Sequence, residues 1–177
     1  MSSQPLTYAD WPSHPSRQCA KLVVGVADLV ANSTADASII TYALGSCLGI
    51  TVHDPVARVG AMLHVMLPDS SIDREKAQHN PAMFVDTGVP QLFREAYRLG
   101  AEKKRLVVKV AGGAAVTNGS DMFEIGKRNI VALRKILWKN GVMIKAQDVG
   151  GSLSRTITLD IATGGVILRV DAVNSSL

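Results

Sequence analysis

A cysteine preceded by glycine and serine, Gly45-Ser46-Cys47, opens one apolar stretch of this chain, and a histidine, His64, lies in the next. Taken singly, a buried cysteine is usually a small hydrophobe. A lone histidine among apolar residues is more often structural than a base. Together they have another use. A thiol within reach of an imidazole is a nucleophile with its own general base, suited to acyl transfer. Gly45 permits a sharp turn, and backbone N–H groups freed around Ser46 can hold an oxyanion.

Whether the pair meets depends on the strands that carry it. CLGITVH (47–53) and RVGAMLHVML (58–67) alternate like strands and are joined by the turn chemistry of Asp54-Pro55. With His53 opposite Arg58, one face pairs Val52 with Val59, Ile50 with Ala61 and Leu48 with Leu63. The other face pairs Thr51 with Gly60, Gly49 with Met62 and Cys47 with His64. A slip of one residue mixes the faces, whereas a slip of two preserves them and stays open. In this register the Cβ atoms of Cys47 and His64 lie roughly 4.5–5.5 Å apart. Gly49 and Gly60 then leave room on the same face for a substrate. A neighbouring imidazolium lowers a cysteine pKa, so Cys47 is expected to alkylate readily at mildly acidic pH. The alternative, two packed core side chains, stays open beside this one.

The rest of the chain frames that hairpin. Residues 1–18 carry Pro5, Pro12 and Pro15 among small polar residues and read as a flexible N-terminal arm. Residues 19–177 read as a single domain, long enough for one substantial core. KLVVGVADLV (21–30) and SIITYAL (38–44) read as strands around a polar loop. PDSSIDREKAQHN (68–80) has no clear period and reads as a surface loop, placed to act as a lid beside His64. A helix carries Phe84, Leu92, Phe93, Ala96 and Leu99, stops at Gly100, and starts near 89 or kinks at Pro90. A strand, RLVVKVAGG (105–113), precedes a second helix over 126–140, whose apolar face is Ile130, Leu133, Ile136 and Leu137. Strands at 142–150, 154–162 and 165–173 follow, the last two joined by a hairpin at Thr163-Gly164-Gly165. Hairpins at both ends with helices between them give a mixed α/β (α+β) layered domain rather than a doubly wound one.

Composition narrows the function. With 19 basic and 15 acidic residues the chain is basic, but the charge looks scattered. The densest run, Glu102-Lys103-Lys104-Arg105, lacks aromatics and reads as a solvated turn, so no nucleic-acid partner is expected. No apolar run approaches the ~18 residues that cross a bilayer, and the first residues lack the pattern of a secretory signal. A cytoplasmic protein without membrane insertion is expected. Cys19 is taken as incidental, and His53 and His79, without evident partners, as surface residues. No His/Cys/Asp cluster suggests zinc or another metal. The glycine pair of VAGGAAVTNG (110–119) fits neither nucleotide-binding spacing and reads as close backbone packing, so no cofactor is expected.

Several segments together are similar to a known family. T-x-x-L-G-S-C at 41–47 and DPVARVGAMLHVMLP at 54–68 resemble the CheD family of chemoreceptor glutamine deamidases. KVAGGA at 109–114, IGKRN at 125–129 and DVGG at 148–151 extend the likeness to about residues 21–170. The resemblance implies Cys47 as nucleophile, His64 as general base and Thr41, six residues before the cysteine, as third member of a triad. Gly45 and Ser46 would form the turn and oxyanion site. It also implies packed β-sheets with flanking helices, related to deamidating bacterial toxins. The implied activity is protein-glutamine glutaminase, turning receptor glutamines into glutamates through a thioester and so tuning adaptation, with no cofactor. Implied partners are methyl-accepting chemotaxis receptors and a CheC-type phosphatase. A docking module without catalysis, and a thiol peptidase or transferase, are the other readings.

Overall fold

The computed structural model describes residues 20–115 and 120–177; the expected arm at 1–18 and Cys19 lie outside them. Among the described residues ten strands form two five-stranded sheets, ordered β1-β3-β8-β9-β10 and β2-β5-β4-β6-β7. The strands are β1 (Ala20–Val23), β2 (Asp28–Asn32), β3 (Ala37–Leu44), β4 (Leu48–Asp54), β5 (Val59–Val65), β6 (Val107–Gly112), β7 (Ile144–Val149), β8 (Arg155–Asp160), β9 (Val166–Val170) and β10 (Val173–Ser176). The helices are α1 (Arg74–His79), α2 (Val85–Arg98) and α3 (Ser120–Lys139). The β1–β3 and β6–β7 pairs are parallel and the other neighbours antiparallel. This is the mixed α+β layering expected. Among the described residues no helix is long and apolar enough to cross a membrane.

Period-2 patterning puts a core on each side of the second sheet. One face of its central hairpin, Leu48, Ile50, Val52, Ala61, Leu63 and Val65, packs with Val85, Val89 and Leu92 of α2 and Leu133 and Leu137 of α3. On its other face Met62 joins Leu44, Ile157, Leu159 and Ile161 between the sheets. Here the glycines act as spacers. A Cβ on Gly49 would lie 2.7 Å from side-chain carbons of Leu44 and Ile157, and one on Gly60 2.9 Å from Ile161. They admit the facing sheet, and the substrate space expected at these glycines is filled.

Four further expectations change. The β4–β5 register is shifted by two residues: Asp54 pairs with Val59, Ile50 with Leu63 and Gly49 with His64. The faces are preserved, but Cys47 is not opposite His64. KLVVGVADLV is two strands in different sheets, because the chain crosses over at Val24–Ala27, with Ala27 at φ 56°. His53 is buried between the sheets, its Nε2 3.0 Å from the Ile161 carbonyl; His79 is exposed as expected. The polar stretch 68–80 folds into a 3-10 turn and α1, each started by an aspartate. Asp69 accepts the Ser71 N–H and Asp73 the Lys76 N–H, the usual N-cap arrangement. Smaller differences concern ends: α2 runs through Pro90 from Val85, α3 begins at Ser120, and the last strand splits at Asp171 (φ 53°) into β9 and β10.

The shifted register has a visible cause in Asp54. Its carboxylate, fully buried, accepts N–H groups of Val56 and Ala57 in the turn, that of Glu102 at 2.8 Å, and Arg105 at 2.8–3.0 Å. Thus the run 102–105 is a turn, but Arg105 is turned inward as an ion pair. Burial alone would raise the Asp54 carboxyl; Arg105 and the three N–H groups outweigh it and hold the group well below the usual carboxylate range. Its contribution is therefore present above about pH 4 and is lost as pH falls below that. Asp54→Ala should destabilise by about 3 kcal/mol, since buried N–H groups lose their acceptor. Denaturant melts of Asp54→Ala and Asp54→Asn, with the asparagine the milder, check this.

Candidate active site

Sheet packing brings two of the expected residues together. Thr41 on β3 and His64 on β5 belong to different sheets and are both buried, with Thr41 Oγ1 2.7 Å from His64 Nδ1. The hydroxyl proton is already committed: Thr41 donates to the Val24 carbonyl at 2.8 Å. A hydroxyl has one proton, so Thr41 must accept here and Nδ1–H must donate. That assigns the tautomer and leaves Nε2 with its lone pair. Nε2 is buried and has no hydrogen-bond partner.

Cys47 is placed differently from the expectation. It precedes β4 by one residue, so in the observed pairing it lies two positions along the strand from Gly49, the residue opposite His64. Residues two apart share a face, which makes Cys47 a diagonal rather than a direct neighbour of His64. It is half-buried against the inter-sheet core. No hydrogen bond joins its sulfur to His64.

The turn that carries the cysteine is built by local backbone geometry and by two other segments. The β3–β8 register shifts between Thr41 and Leu44, and Ala43 sits at φ 56°, a left-handed conformation that costs a non-glycine residue roughly 1 kcal/mol or more. Gly45 N–H closes back on the Ala43 carbonyl at 2.9 Å, leaving the Ser46 and Cys47 N–H groups outside the strand ladders. The glycine pair ending β6 then docks on the turn. Gly113 N–H donates to the Cys47 carbonyl and Ala114 N–H to the Gly45 carbonyl, both at 2.8 Å. A Cβ on Gly112 (φ 110°) would run into the Cys47 carbonyl. Close backbone packing, the role expected of this pair, is what it does.

Asn129 of α3 was not singled out by the sequence reading. Fully buried, its Nδ2 donates to the Ser46 carbonyl at 3.1 Å and the Met66 carbonyl at 3.0 Å. One side chain thus ties the cysteine turn to the end of the histidine strand. A signal was available: Asn129 falls on the buried stripe of Gly126, Ile130, Leu133 and Leu137, where a polar residue is out of place. Among the described residues no group of three or more His, Cys, Asp or Glu side chains is gathered where it could hold a metal.

Burial sets the resting protonation. It lowers the His64 pKa to about 4 and pushes the Cys47 thiol up, partly offset by the cysteine's own N–H. The resting pair is thiol and neutral imidazole, not thiolate and imidazolium, and the ready alkylation expected at mildly acidic pH does not follow. As pH falls from about 6.5 to about 4 the unfolded chain takes up a proton that folded His64 refuses, so stability declines through that window. Nitrogen-15 NMR should find Nδ1 protonated, Nε2 bare and a titration midpoint near 4; a midpoint near 6.5 would contradict this. Alkylation of Cys47 should rise only on the alkaline side of an ordinary thiol. Asn129→Asp, which points an acceptor at two carbonyls, should cost about 1–3 kcal/mol and slow any chemistry at Cys47; thermal melts and turnover together check it.

Comparison with known proteins is consistent across much of the chain. A family model described as CheD chemotactic sensory transduction matches residues 66–170, which include the glycine pair and Asn129 but not Thr41, Cys47 or His64. The protein named Probable chemoreceptor glutamine deamidase CheD 1 from Syntrophus aciditrophicus is 45% identical over 84% of this chain and 92% of its own length. The Solibacter usitatus protein of similar name is 46% identical over 84% and 88%, and that of Syntrophotalea carbinolica 46% over 81% and 90%. A solved Neisseria meningitidis structure aligns with 75% of this chain and 62% of its own at 12% identity, with a TM-score of only 0.42. At more than 40% identity over nearly the full length of these relatives, and with a family model matching well over half its residues, this chain belongs to the CheD family.

Proposed function

We propose that the protein hydrolyses the side-chain amide of glutamines in chemoreceptor cytoplasmic helices, with Cys47 as nucleophile, His64 as base and Thr41 as the residue that orients His64. The observation behind this reading is the buried, unpartnered Nε2 of His64, whose tautomer is imposed by Thr41, one diagonal step from Cys47.

The chemistry runs as two acyl transfers. Nε2 takes the thiol proton as sulfur attacks the carboxamide carbon, forming the C–S bond, and the oxyanion is met by N–H groups of Ser46 and Cys47. The imidazolium returns the proton to the amide nitrogen; the C–N bond breaks and ammonia leaves. Water then attacks the thioester, giving one proton to Nε2. The C–S bond breaks, the thiolate takes that proton back, and glutamate is released. Each conversion adds a negative charge to the receptor, the means by which adaptation is tuned. Docking to a CheC-type phosphatase is a separable role and should survive loss of the thiol.

Incubating a purified receptor cytoplasmic fragment with the protein and reading glutamine-to-glutamate conversion by mass spectrometry tests this. Cys47→Ala and His64→Ala should be inactive while folded. Thr41→Val frees the tautomer and should lower kcat by about 10²–10⁴-fold, with Thr41→Ser restoring much of it. Conversion by Cys47→Ala at the unmodified rate would end the proposal.

A further inference from the structure

The charge that looks scattered along the sequence is gathered by α3. Between Gly126 and Lys139 this helix carries Lys127, Arg128, Arg134, Lys135 and Lys139 and no acidic residue. Lys127, Arg128, Val131, Ala132 and Lys135 line one side of an open groove of about 350 Å³, and Pro68 and Asp69 line the other. Asp69 adds one negative charge at the rim, which Arg128 and Lys135 feel, and the groove stays net positive. The Asp69 carboxylate accepts the Ser71 N–H at 2.8 Å, and among the described residues Lys127, Arg128 and Lys135 enter no ion pair. Lys135 and Lys139, four apart, repel one another on the helix surface. The face also exposes apolar groups: Val131 is 59% and Trp138 81% exposed, seven residues apart and therefore on the same side.

This groove adjoins the site. Pro68 and Asp69 follow His64 by four and five residues, and Asn129, which holds the cysteine turn, is next to Arg128 on the same helix. From Lys127 to Trp138 the face runs about 17 Å, three turns of helix. Cations that enter no ion pair among the described residues flank an apolar floor beside the turn that Asn129 holds, a surface suited to an amphipathic anionic rod.

We propose that this face of α3 docks an acidic amphipathic helix of the substrate protein, which seats apolar residues on Val131 and carboxylates against Lys127, Arg128 and Lys135, and so presents a glutamine to Cys47. The proposal rests on the function assigned above and adds what selects the substrate. Helix-in-groove recognition supplies the apolar anchor, and charge complementarity supplies steering and specificity. A phosphate backbone would feel the same cations but has no use for an apolar floor of Val131, Ala132 and Pro68; an anionic bilayer would use both, and vesicle binding in the test below separates it from a docked helix.

The test pairs binding with turnover. A labelled receptor cytoplasmic fragment is titrated with full-length Cys47→Ala protein, with and without Lys127→Glu and Lys135→Glu together, at several salt concentrations. The same charge reversals are made in the active protein and KM and kcat measured. Expected are binding that weakens with salt, an at least tenfold loss of affinity and rise in KM on charge reversal, kcat within about twofold, and unchanged Cys47 alkylation. Unchanged affinity and KM in the reversed variant overturn the proposal. So does an outcome in which charge reversal abolishes binding to anionic vesicles or duplex DNA while leaving the receptor fragment unaffected. Charge-dependent binding without any deamidation by the active protein would uphold the docking face and remove the catalytic reading instead.

Discussion

The distance between the two sheets governs this molecule. Thr41 and His64 are brought together neither by sequence proximity nor by strand pairing, because each belongs to a different sheet. They meet because Gly49 and Gly60 remove the side chains that would hold the sheets apart, letting Leu44, Ile157 and Ile161 fill the space. A methyl group at either glycine acts on the site through this spacing, since the 2.7 Å hydrogen bond tolerates little separation. His53, bonded across the same gap to the Ile161 carbonyl, reinforces it at the far end. Core packing and the orientation of the imidazole are thus one constraint.

A second consequence concerns what surrounds the cysteine. Its turn is held from three directions, by the Ala43 bulge of β3, the glycine pair after β6 and Asn129 of α3. Ala43 and the glycines have no side-chain chemistry to offer a substrate, and the Asn129 Nδ2 is committed to two carbonyls. The contacts from β6 and α3 occupy the carbonyls of Gly45, Ser46 and Cys47, while the Ser46 and Cys47 N–H groups stay outside the strand ladders. Positioning by several backbone contacts is stiffer than positioning by one long side chain, which the oxyanion role proposed for this turn would require.

How much of this was legible in the sequence depends on the range of the interaction. Alternation along 47–67 sorted the two faces of the hairpin correctly, because period 2 is a local property. It left the register two residues short, because no period-2 argument separates registers that differ by two. What separates them is Asp54, and its deciding partners, Glu102 and Arg105, are some fifty residues away. KLVVGVADLV has the composition of one strand, and only the competition between two sheets explains why it is divided. The segment 68–80 hid α1 because its six residues bury nothing; aspartate caps, not an apolar stripe, define it. The candidate site shows the same division. Cys47 and His64 stand out as residue types at suggestive spacing and Thr41 only through the family resemblance, but the tautomer rests on the Val24 carbonyl, which carries no mark in a sequence. The cations of α3 looked scattered until a helix wound five of them onto a few turns.

The neutral resting pair has implications for selectivity. Moving the thiol proton to Nε2 creates two opposite charges in a place whose burial disfavours both, as the depressed histidine and raised cysteine show. Each ion alone would be costly, yet in a low-dielectric site they attract strongly at short range, so the transfer is favourable only when it happens as one event. On the mechanism proposed above, a carboxamide carbon against the sulfur would give the new charge somewhere to go, because it would pass to an oxygen facing the turn's N–H groups as the C–S bond forms. Small electrophiles that need a standing thiolate would find little of it. A half-buried cysteine with no standing thiolate is also a poor target for oxidants, whose attack follows thiolate character and exposure. On that mechanism burial would do more than hold the side chains in place: it would withhold the reactive ion until a substrate of the right shape completes the site.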